Sequence, residues 1–249
     1  MNAYHALADS YDRLTNDVDY AAVVAFYNQI LHMEGLQPRT AADLACGTGS
    51  VAIQLAQEGL QVTAVDMSEE MLCIGAQKAE GMENQPTFVC QKLQQLHLPR
   101  GVDLAVCALD SMNYITEPAD CEAAIKRIYR ALNPGGCFIF DVNTLEKLRA
   151  MDGQVFLDED DDVYCVWRGE FDAQTNICSY GMDLFQRCGN GWIRSFEEHQ
   201  EYAYSCQQLV GYLKSAGFTS IRVYADRRLE PPAPGEQRIY IKARKGKLK

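Results

Sequence analysis

The sequence predicts an α/β fold in which a doubly wound, seven-stranded and mostly parallel sheet carries a small antiparallel β insert after strand 5. From residue 41, short apolar runs alternate with segments of helical periodicity. After about residue 153 this alternation gives way to strand-like segments joined by a hairpin turn. The chain then ends with a strand, a proline-rich loop and a strand, which is typical of a reversed last strand inserted into the sheet.

The first half of the chain has the pattern of a βαβ series. Gly59 and Gly81 are placed to end the first two helices, Ser68 is a good N-cap, and Pro118 suits the first turn of the third helix. Two further helical segments precede the first strand. Strands are predicted at 40–45, 61–65, 87–90, 102–107 and 137–141, and helices at 50–58, 69–80 and 118–132.

The second half predicts the insert and the end of the sheet. Ser205 and Gln208 have the spacing of a capping box, so a helix begins there and Gly217 ends it. The five consecutive acids at 158–162 are predicted to form a solvated loop. Further strands are predicted near 163–171, 176–187, 191–202, 219–225 and 237–243.

These elements suggest two units. Residues 1–153 plus 203–249 are expected to form the cofactor-binding α/β core with its N-terminal helical cap. Residues 154–202 are expected to form the antiparallel β insert, which serves as a lid over the substrate.

The composition is that of a globular protein, with 47% apolar and 23% charged residues. Its 23 basic and 34 acidic residues give a formal charge of −11, which disfavours nucleic acid as a partner because phosphates would meet an opposing field. The longest apolar run, 21–27, is far shorter than the roughly 20 residues that cross a bilayer, so no membrane partner is expected.

The cysteines and metal-ligating residues indicate the compartment and the type of site. The ten cysteines are spread along the chain without a C-x-x-C pair, which is typical of buried thiols in a reducing compartment. We therefore expect a cytoplasmic protein. No histidine and acid cluster has ligand spacing, so no metal is expected.

Two acids and a glycine turn predict a nucleoside site. Gly47 and Gly49 follow the first strand, where a helix begins and a ligand approaches the backbone. Asp66 ends the second strand, where a carboxylate accepts hydrogen bonds from both hydroxyls of a ribose. This pair indicates an adenosine ligand, and it fits dinucleotide cofactors as well.

Asp43 helps to distinguish a dinucleotide cofactor from an adenosine cofactor that carries positive charge. A pyrophosphate gains nothing from an acid inside the first strand, whereas a cofactor with an ammonium and a sulfonium group tolerates it. Aromatic residues also crowd the N-terminus, at Tyr4, Tyr11, Tyr20, Phe26 and Tyr27, where they either stabilise a cation or pack two helices on the sheet.

These motifs together resemble class I S-adenosylmethionine-dependent methyltransferases, and most of all small bacterial enzymes related to glycine and sugar-amine N-methyltransferases. Tyr11-Asp12, the Val-Asp-Tyr at 18–20 and the Glu-x-His that ends at His199 are typical of that subgroup. The resemblance implies the Rossmann-like methyltransferase fold and S-adenosylmethionine as cofactor. The stretches that carry it are 42–49, 65–72, 109–114, 132–136 and 216–218.

The resemblance also implies roles for individual residues. The turn at 45–49 would hold the methionine part of the cofactor, Asp66 the ribose and Met67 the adenine. Many relatives have an acid at the position of Lys92, and Gln94 is the candidate replacement for its adenine contact. The residues predicted to bind the cofactor are Tyr11, Tyr20, Asp43, Ala45, Cys46, Gly47, Gly49, Asp66, Met67, Met71, Leu93, Gln94 and Leu109.

The expected reaction is methyl transfer to a small-molecule amine or hydroxyl acceptor by a monomer or homodimer. Asp110, at the end of the fourth strand, and His199, in the insert, are the candidate catalytic residues, because a general base is useful for such acceptors. Two alternatives remain open at this point: an NAD-dependent oxidoreductase, and a non-catalytic regulatory protein that binds S-adenosylmethionine.

Overall fold

The computed structural model describes residues 11, 12, 15, 18–159 and 161–247. A seven-stranded sheet forms its centre, as predicted, with the strand order β10-β11-β5-β4-β1-β2-β3. Its strands are β1 (Thr40–Leu44), β2 (Gln61–Asp66), β3 (Thr87–Cys90), β4 (Val102–Cys107), β5 (Leu132–Asn143), β10 (Phe218–Ala225) and β11 (Arg238–Lys245).

The strand directions bring several predicted site residues to one edge. Strands β1 to β5 pair in parallel, so their carboxyl ends meet along the same side of the sheet. Strand β11 lies antiparallel between β5 and β10, which confirms the predicted reversed strand. The chain leaves β1, β2 and β4 at the edge where open α/β sheets bind ligands.

Helices cover both faces of this sheet. They are α1 (Tyr20–Met33), α2 (Ser50–Gln57), α3 (Glu69–Lys78), α4 (Pro118–Ala131), α5 (Leu145–Ala150) and α6 (Cys206–Ala216), with a 3₁₀ turn at Leu93–Gln95. Alternate residues of β4 face opposite layers: Leu104 and Val106 pack with α1 and α2, while Ala105 and Cys107 pack with α4 and α6. No helix among the described residues is long and apolar enough to span a membrane.

Three of the predicted capping residues act as expected, but the prediction for Gly81 was wrong, because α3 ends at Lys78 with Ala79 as its C-cap. The Ser68 hydroxyl accepts from Met71 N at 3.2 Å, and Ser205 and Gln208 form a reciprocal capping box at the start of α6. Gly217 ends α6 in the left-handed conformation, with φ 103°. All ten cysteines are free thiols, and five of them are buried.

The insert forms a second, four-stranded antiparallel sheet with the order β6-β7-β8-β9. Its strands are β6 (Val155–Glu159), β7 (Val163–Asp172), β8 (Ile177–Cys188) and β9 (Gly191–Tyr202).

Several local assignments differ from the sequence-based expectation. Strand β5 spans Leu132–Asn143, so the predicted bounds of 137–141 were too narrow. Asp158 and Glu159 belong to β6, so the prediction of a loop for these two acids was wrong. Every residue of β6 is exposed, and an edge strand without a buried face shows no hydrophobic alternation. Helix α5 was not predicted, because six residues are too few to show helical periodicity.

Candidate functional site

A cavity of about 440 Å³ opens at the carboxyl edge of the parallel strands. It reaches from the ends of β1 and β2 to the loop after β4 and to strand β9 of the insert. Every residue predicted to bind the cofactor lines it except Gly49: Tyr11, Tyr20, Asp43, Ala45, Cys46, Gly47, Asp66, Met67, Met71, Leu93, Gln94 and Leu109.

The two glycines of the turn after β1 have different reasons to be glycine. Gly47 has φ 54°, and a Cβ there would lie 4.0 Å from Tyr11 at the cavity wall. Gly49 is the N-cap of α2 with φ 76°, and a Cβ there would lie 2.9 Å from Phe88 Cε1. Gly49 therefore leaves room for the Phe88 ring of β3 at the start of α2, and its predicted contact with a cofactor stays a prediction.

Asp66 organises the edge between β1 and β2. Its Oδ2 accepts from Gly47 N at 2.8 Å, and its Oδ1 accepts from Ser68 N at 2.9 Å. Burial raises the pKa of Asp66, and the backbone N–H donors partly counteract that rise. Each carboxylate oxygen has two lone pairs, so both can accept a further hydrogen bond from a ligand.

Asp43 is a buried acid that faces the same cavity. Only 1% of the residue is exposed, and Oδ2 has no hydrogen-bond partner among the described residues. Burial raises its pKa to about 8. An unpartnered buried carboxylate oxygen is costly unless a ligand satisfies it, and a cationic group of a ligand does so best. The cavity therefore fits a cofactor that carries positive charge.

Tyr11 and Tyr20 line one side of the cavity. Beside Tyr11, Asp12 accepts from Thr48 Oγ1 at 2.6 Å and from Lys78 Nζ at 2.8 Å, which ties Asp12 to the turn after β1 and to α3. Tyr20 is the first residue of α1.

The other N-terminal aromatic residues do not all share this position. Phe26 and Tyr27 are instead buried in the core against Tyr240. For these two residues the alternative of packing a helix on the sheet therefore holds. Tyr4 lies outside the described residues.

The segment after β3 forms the opposite wall. Leu93 is buried, and Gln94 donates from Nε2 to Asp120 Oδ2 at 3.4 Å. Lys92 is exposed and also lines the cavity. The cavity here offers a cationic donor and an amide.

The shape of the loop after β4 depends on Asp141, a residue of β5 whose role was not predicted from the sequence. Leu109 and Asp110 are consecutive left-handed residues, with φ 54° and 53°, a conformation that costs roughly 1–2 kcal/mol for each non-glycine residue. Their N–H groups donate to Asp141 Oδ1 and Oδ2, both at 2.9 Å. Hydrogen bonds to a charged group contribute about 1.5–3 kcal/mol each, so they offset the strain.

Arg238 joins the two acids at this edge. Its Nη2 donates to Asp110 Oδ1 at 2.6 Å, and its Nη1 donates to Asp141 Oδ2. Burial lowers the pKa of Arg238, but the carboxylates of Asp110 and Asp141 raise it more, so the guanidinium stays charged. The Asp110 carboxylate thus contacts Arg238, while its neighbours Leu109 and Ser111 line the cavity. The sequence feature that could have identified Asp141 is the presence of an acid within the apolar strand β5.

The insert contributes the other candidate catalytic residue. His199 lies on β9, is 2% exposed and lines the cavity. Its Nε2 is 3.2 Å from Glu197 Oε2, two residues earlier on the same face of the strand. The Tyr114 ring lies edge-on to the imidazole and the Trp167 ring is tilted to it, and each ring centroid is 6.1 Å from that of the imidazole. The structure thus places a buried histidine, paired with a carboxylate, in the wall of the cavity.

The sheet order, the glycine turn and the acid at the end of β2 define a class of α/β proteins that bind adenosine cofactors. Comparison with known proteins narrows this class. Residues 41–136 match the family described as methyltransferase domain.

Full-length relatives and a solved structure agree with that match. A protein of Geobacillus sp. (strain WCH70) named as a methyltransferase is 31% identical over 245 residues, which is 97% of this chain and 99% of the relative. YqeM of Bacillus subtilis (strain 168), also named as a methyltransferase, is 30% identical over 98% of both chains. An S-adenosylmethionine-dependent methyltransferase from Clostridium acetobutylicum ATCC 824 superposes with TM-score 0.88 at 31% identity, over 98% of this chain and all of that one.

The chain belongs to the class I S-adenosylmethionine-dependent methyltransferases. It is an enzyme, and its cofactor is S-adenosylmethionine, so the oxidoreductase and regulatory alternatives are set aside. The cationic cofactor agrees with the unpartnered carboxylate oxygen of Asp43.

Proposed function

We propose that the enzyme methylates a small-molecule amine or hydroxyl acceptor that binds in the same cavity as the cofactor. The observation that carries this proposal is the shared cavity, whose walls come from both the sheet edge and strand β9 of the insert. Its volume of about 440 Å³ is in the range of small-molecule sites, and the formal charge of −11 opposes an RNA acceptor.

The proposed cofactor contacts follow the polar groups of the cavity. Asp66 accepts from the ribose hydroxyls, and Asp43 attracts the ammonium group. Leu93 and Gln94 face the adenine, which Met67 covers. When bound, S-adenosylmethionine would supply a methyl group to the nitrogen or oxygen of the acceptor, with S-adenosylhomocysteine as the other product.

His199 is the proposed general base. An amine or hydroxyl acceptor loses a proton as it is methylated, and the imidazole takes it up. Glu197, with Oε2 at 3.2 Å from Nε2, orients the ring and stabilises the imidazolium that forms. Asp110 was the other candidate, but its carboxylate contacts Arg238, so we assign the role of general base to His199.

The test uses S-adenosylmethionine with a tritiated methyl group and a bacterial extract that is separated into small metabolites and retained macromolecules. We expect the label in the small-metabolite fraction. His199→Gln should lower that transfer by about 100-fold, the lower range for a general base, with the affinity for S-adenosylhomocysteine unchanged.

The exposed His97 provides the matched control, and His97→Gln should transfer as the wild type does. Label that enters only protein or RNA would contradict the proposal of a small-molecule acceptor. Full activity of His199→Gln would contradict the assignment of the base.

A further inference from the structure

The wall of the cavity after β4 depends on two residues outside it. Leu109 lines the cavity in a left-handed conformation, and Asp110 follows in the same conformation. Neither is glycine, so the loop needs an external restraint to hold this shape.

Asp141 provides that restraint from the neighbouring strand β5. The residue is fully buried, and its two carboxylate oxygens accept separately from Leu109 N and Asp110 N, each at 2.9 Å. A carboxylate is suited to this task because both of its oxygens accept, whereas an amide side chain has one acceptor and one donor.

Arg238 holds the Asp141 and Asp110 carboxylates in place. It is the first residue of β11, the reversed strand beside β5, and it donates to both acids through different nitrogens. The planar guanidinium presents its donors as a rigid fork, which a lysine ammonium cannot reproduce.

The same loop is tied to the insert. Asn113 is buried and donates from Nδ2 to Asn143 O and Tyr202 O, both at 3.0 Å, and its Oδ1 accepts from Asn143 N at 3.1 Å. Tyr202 N donates to Asn113 O at 2.7 Å. Because β9 also carries His199, the loop connects the sheet edge to the proposed base.

We propose that Asp141 and Arg238 are positioning residues for methyl transfer, which set the Leu109–Asp110 turn against the part of the cofactor beyond its nucleoside. This inference rests on the proposed cofactor contacts, because β4 pairs with β1, whose Asp43 is assigned to the ammonium group, and not with β2, whose Asp66 is assigned to the ribose. It predicts that disturbing the pair weakens binding of the amino-acid half of the cofactor and leaves binding of the nucleoside half intact.

The experiment compares S-adenosylhomocysteine with adenosine as calorimetric probes of the full chain. In Asp141→Asn we expect the affinity for S-adenosylhomocysteine to fall by about fivefold or more, while the affinity for adenosine stays within about twofold. Hydrogen exchange should become faster at the amides of Leu109 and Asp110. Arg238→Lys should show the same selectivity to a smaller degree, and it provides the test if Asp141→Asn does not fold.

The matched control is Asp103→Asn. Asp103 Oδ2 also accepts from two consecutive amides, Arg39 N at 3.0 Å and Thr40 N at 3.2 Å, but at the opposite end of the sheet. This variant should bind both probes as the wild type does. Equal losses for the two probes in Asp141→Asn, or no loss for either, would overturn the proposal. These measurements need no methyl acceptor, so they stand apart from the test of His199.

Discussion

The substitution Asp66→Ala tests the proposed ribose contact, on which the orientation of the cofactor depends. The Asp66 carboxylate already accepts from Gly47 N and Ser68 N, so it is fixed in place before a ligand arrives. A side chain that is fixed in advance loses little conformational entropy on binding, so its ligand hydrogen bonds contribute most of their free energy.

The expected loss of affinity follows from two hydrogen bonds. A bond to a charged group contributes about 1.5–3 kcal/mol, so two ribose hydroxyls give at most about 6 kcal/mol. The buried carboxylate also loses hydration when the ligand covers it, which favours the lower end of that range. A net loss of about 3 kcal/mol corresponds to an increase of about 150-fold in the Kd for S-adenosylhomocysteine.

Isothermal titration calorimetry measures this Kd, and Asp172→Ala is the matched control. Asp172 Oδ1 accepts from the N–H two residues later, Gln174 N at 2.8 Å, just as Asp66 Oδ1 accepts from Ser68 N at 2.9 Å, but Asp172 lies at the turn between β7 and β8. The control should bind as the wild type does. An increase of less than about tenfold in Asp66→Ala would refute the ribose assignment.

Two further substitutions test the acid and the glycine beside this contact. Because the pKa of Asp43 is about 8 in the free protein, binding of a cationic ligand at pH 7 should release a proton from it. The affinity for the cationic ligand should therefore rise with pH up to about 8. The buffer takes up the released proton, so the measured binding heat should differ between buffers of unlike ionisation enthalpy, and Asp43→Asn should remove this difference. Equal binding heats in the wild type would contradict the release of a proton. Gly49→Ala should lower the free energy of unfolding by about 2–4 kcal/mol, because residue 49 has a left-handed backbone and the added Cβ would lie 2.9 Å from Phe88 Cε1. The control is Gly81→Ala, because Gly81 has φ 82° and nothing lies within 4 Å of the added Cβ. This variant should lower the free energy of unfolding, measured by thermal unfolding, by only about 1–2 kcal/mol. Equal losses of stability in the two variants would show that Phe88 moves aside.

Much of the sheet and its ligand edge could be predicted from the sequence, because local signals mark both. The observed bounds of β3 and β4 are those expected, and Ser68 and Gly217 mark helix ends through the backbone groups that they satisfy or the φ that they adopt. Asp43 and Asp66 could be placed together because parallel strands end at one edge.

The residues that support this edge could not be predicted, because their signal is not local. Asp141 and Arg238 are far apart in sequence, and they meet only because β11 lies antiparallel beside β5, where Tyr240 pairs with Asp141. Asn113 likewise bonds to Tyr202, which belongs to the insert. Hydrophobic periodicity identifies strands but not which polar side chains face each other across them.

The distribution of charge at the ligand edge explains why a positively charged cofactor suits it. Among the described residues, Asp110 and Asp141 share Arg238 as their cation, whereas neither Asp43 nor Asp66 pairs with a lysine or arginine. Burial raises the pKa of both unpaired acids, so the free protein bears a cost at this edge that its own side chains do not offset. In the proposed binding mode, the ammonium and sulfonium groups of the cofactor supply the missing positive charge, while two backbone N–H groups hold Asp66 in place in the free protein. On that proposal, cofactor binding relieves an electrostatic cost of the free site.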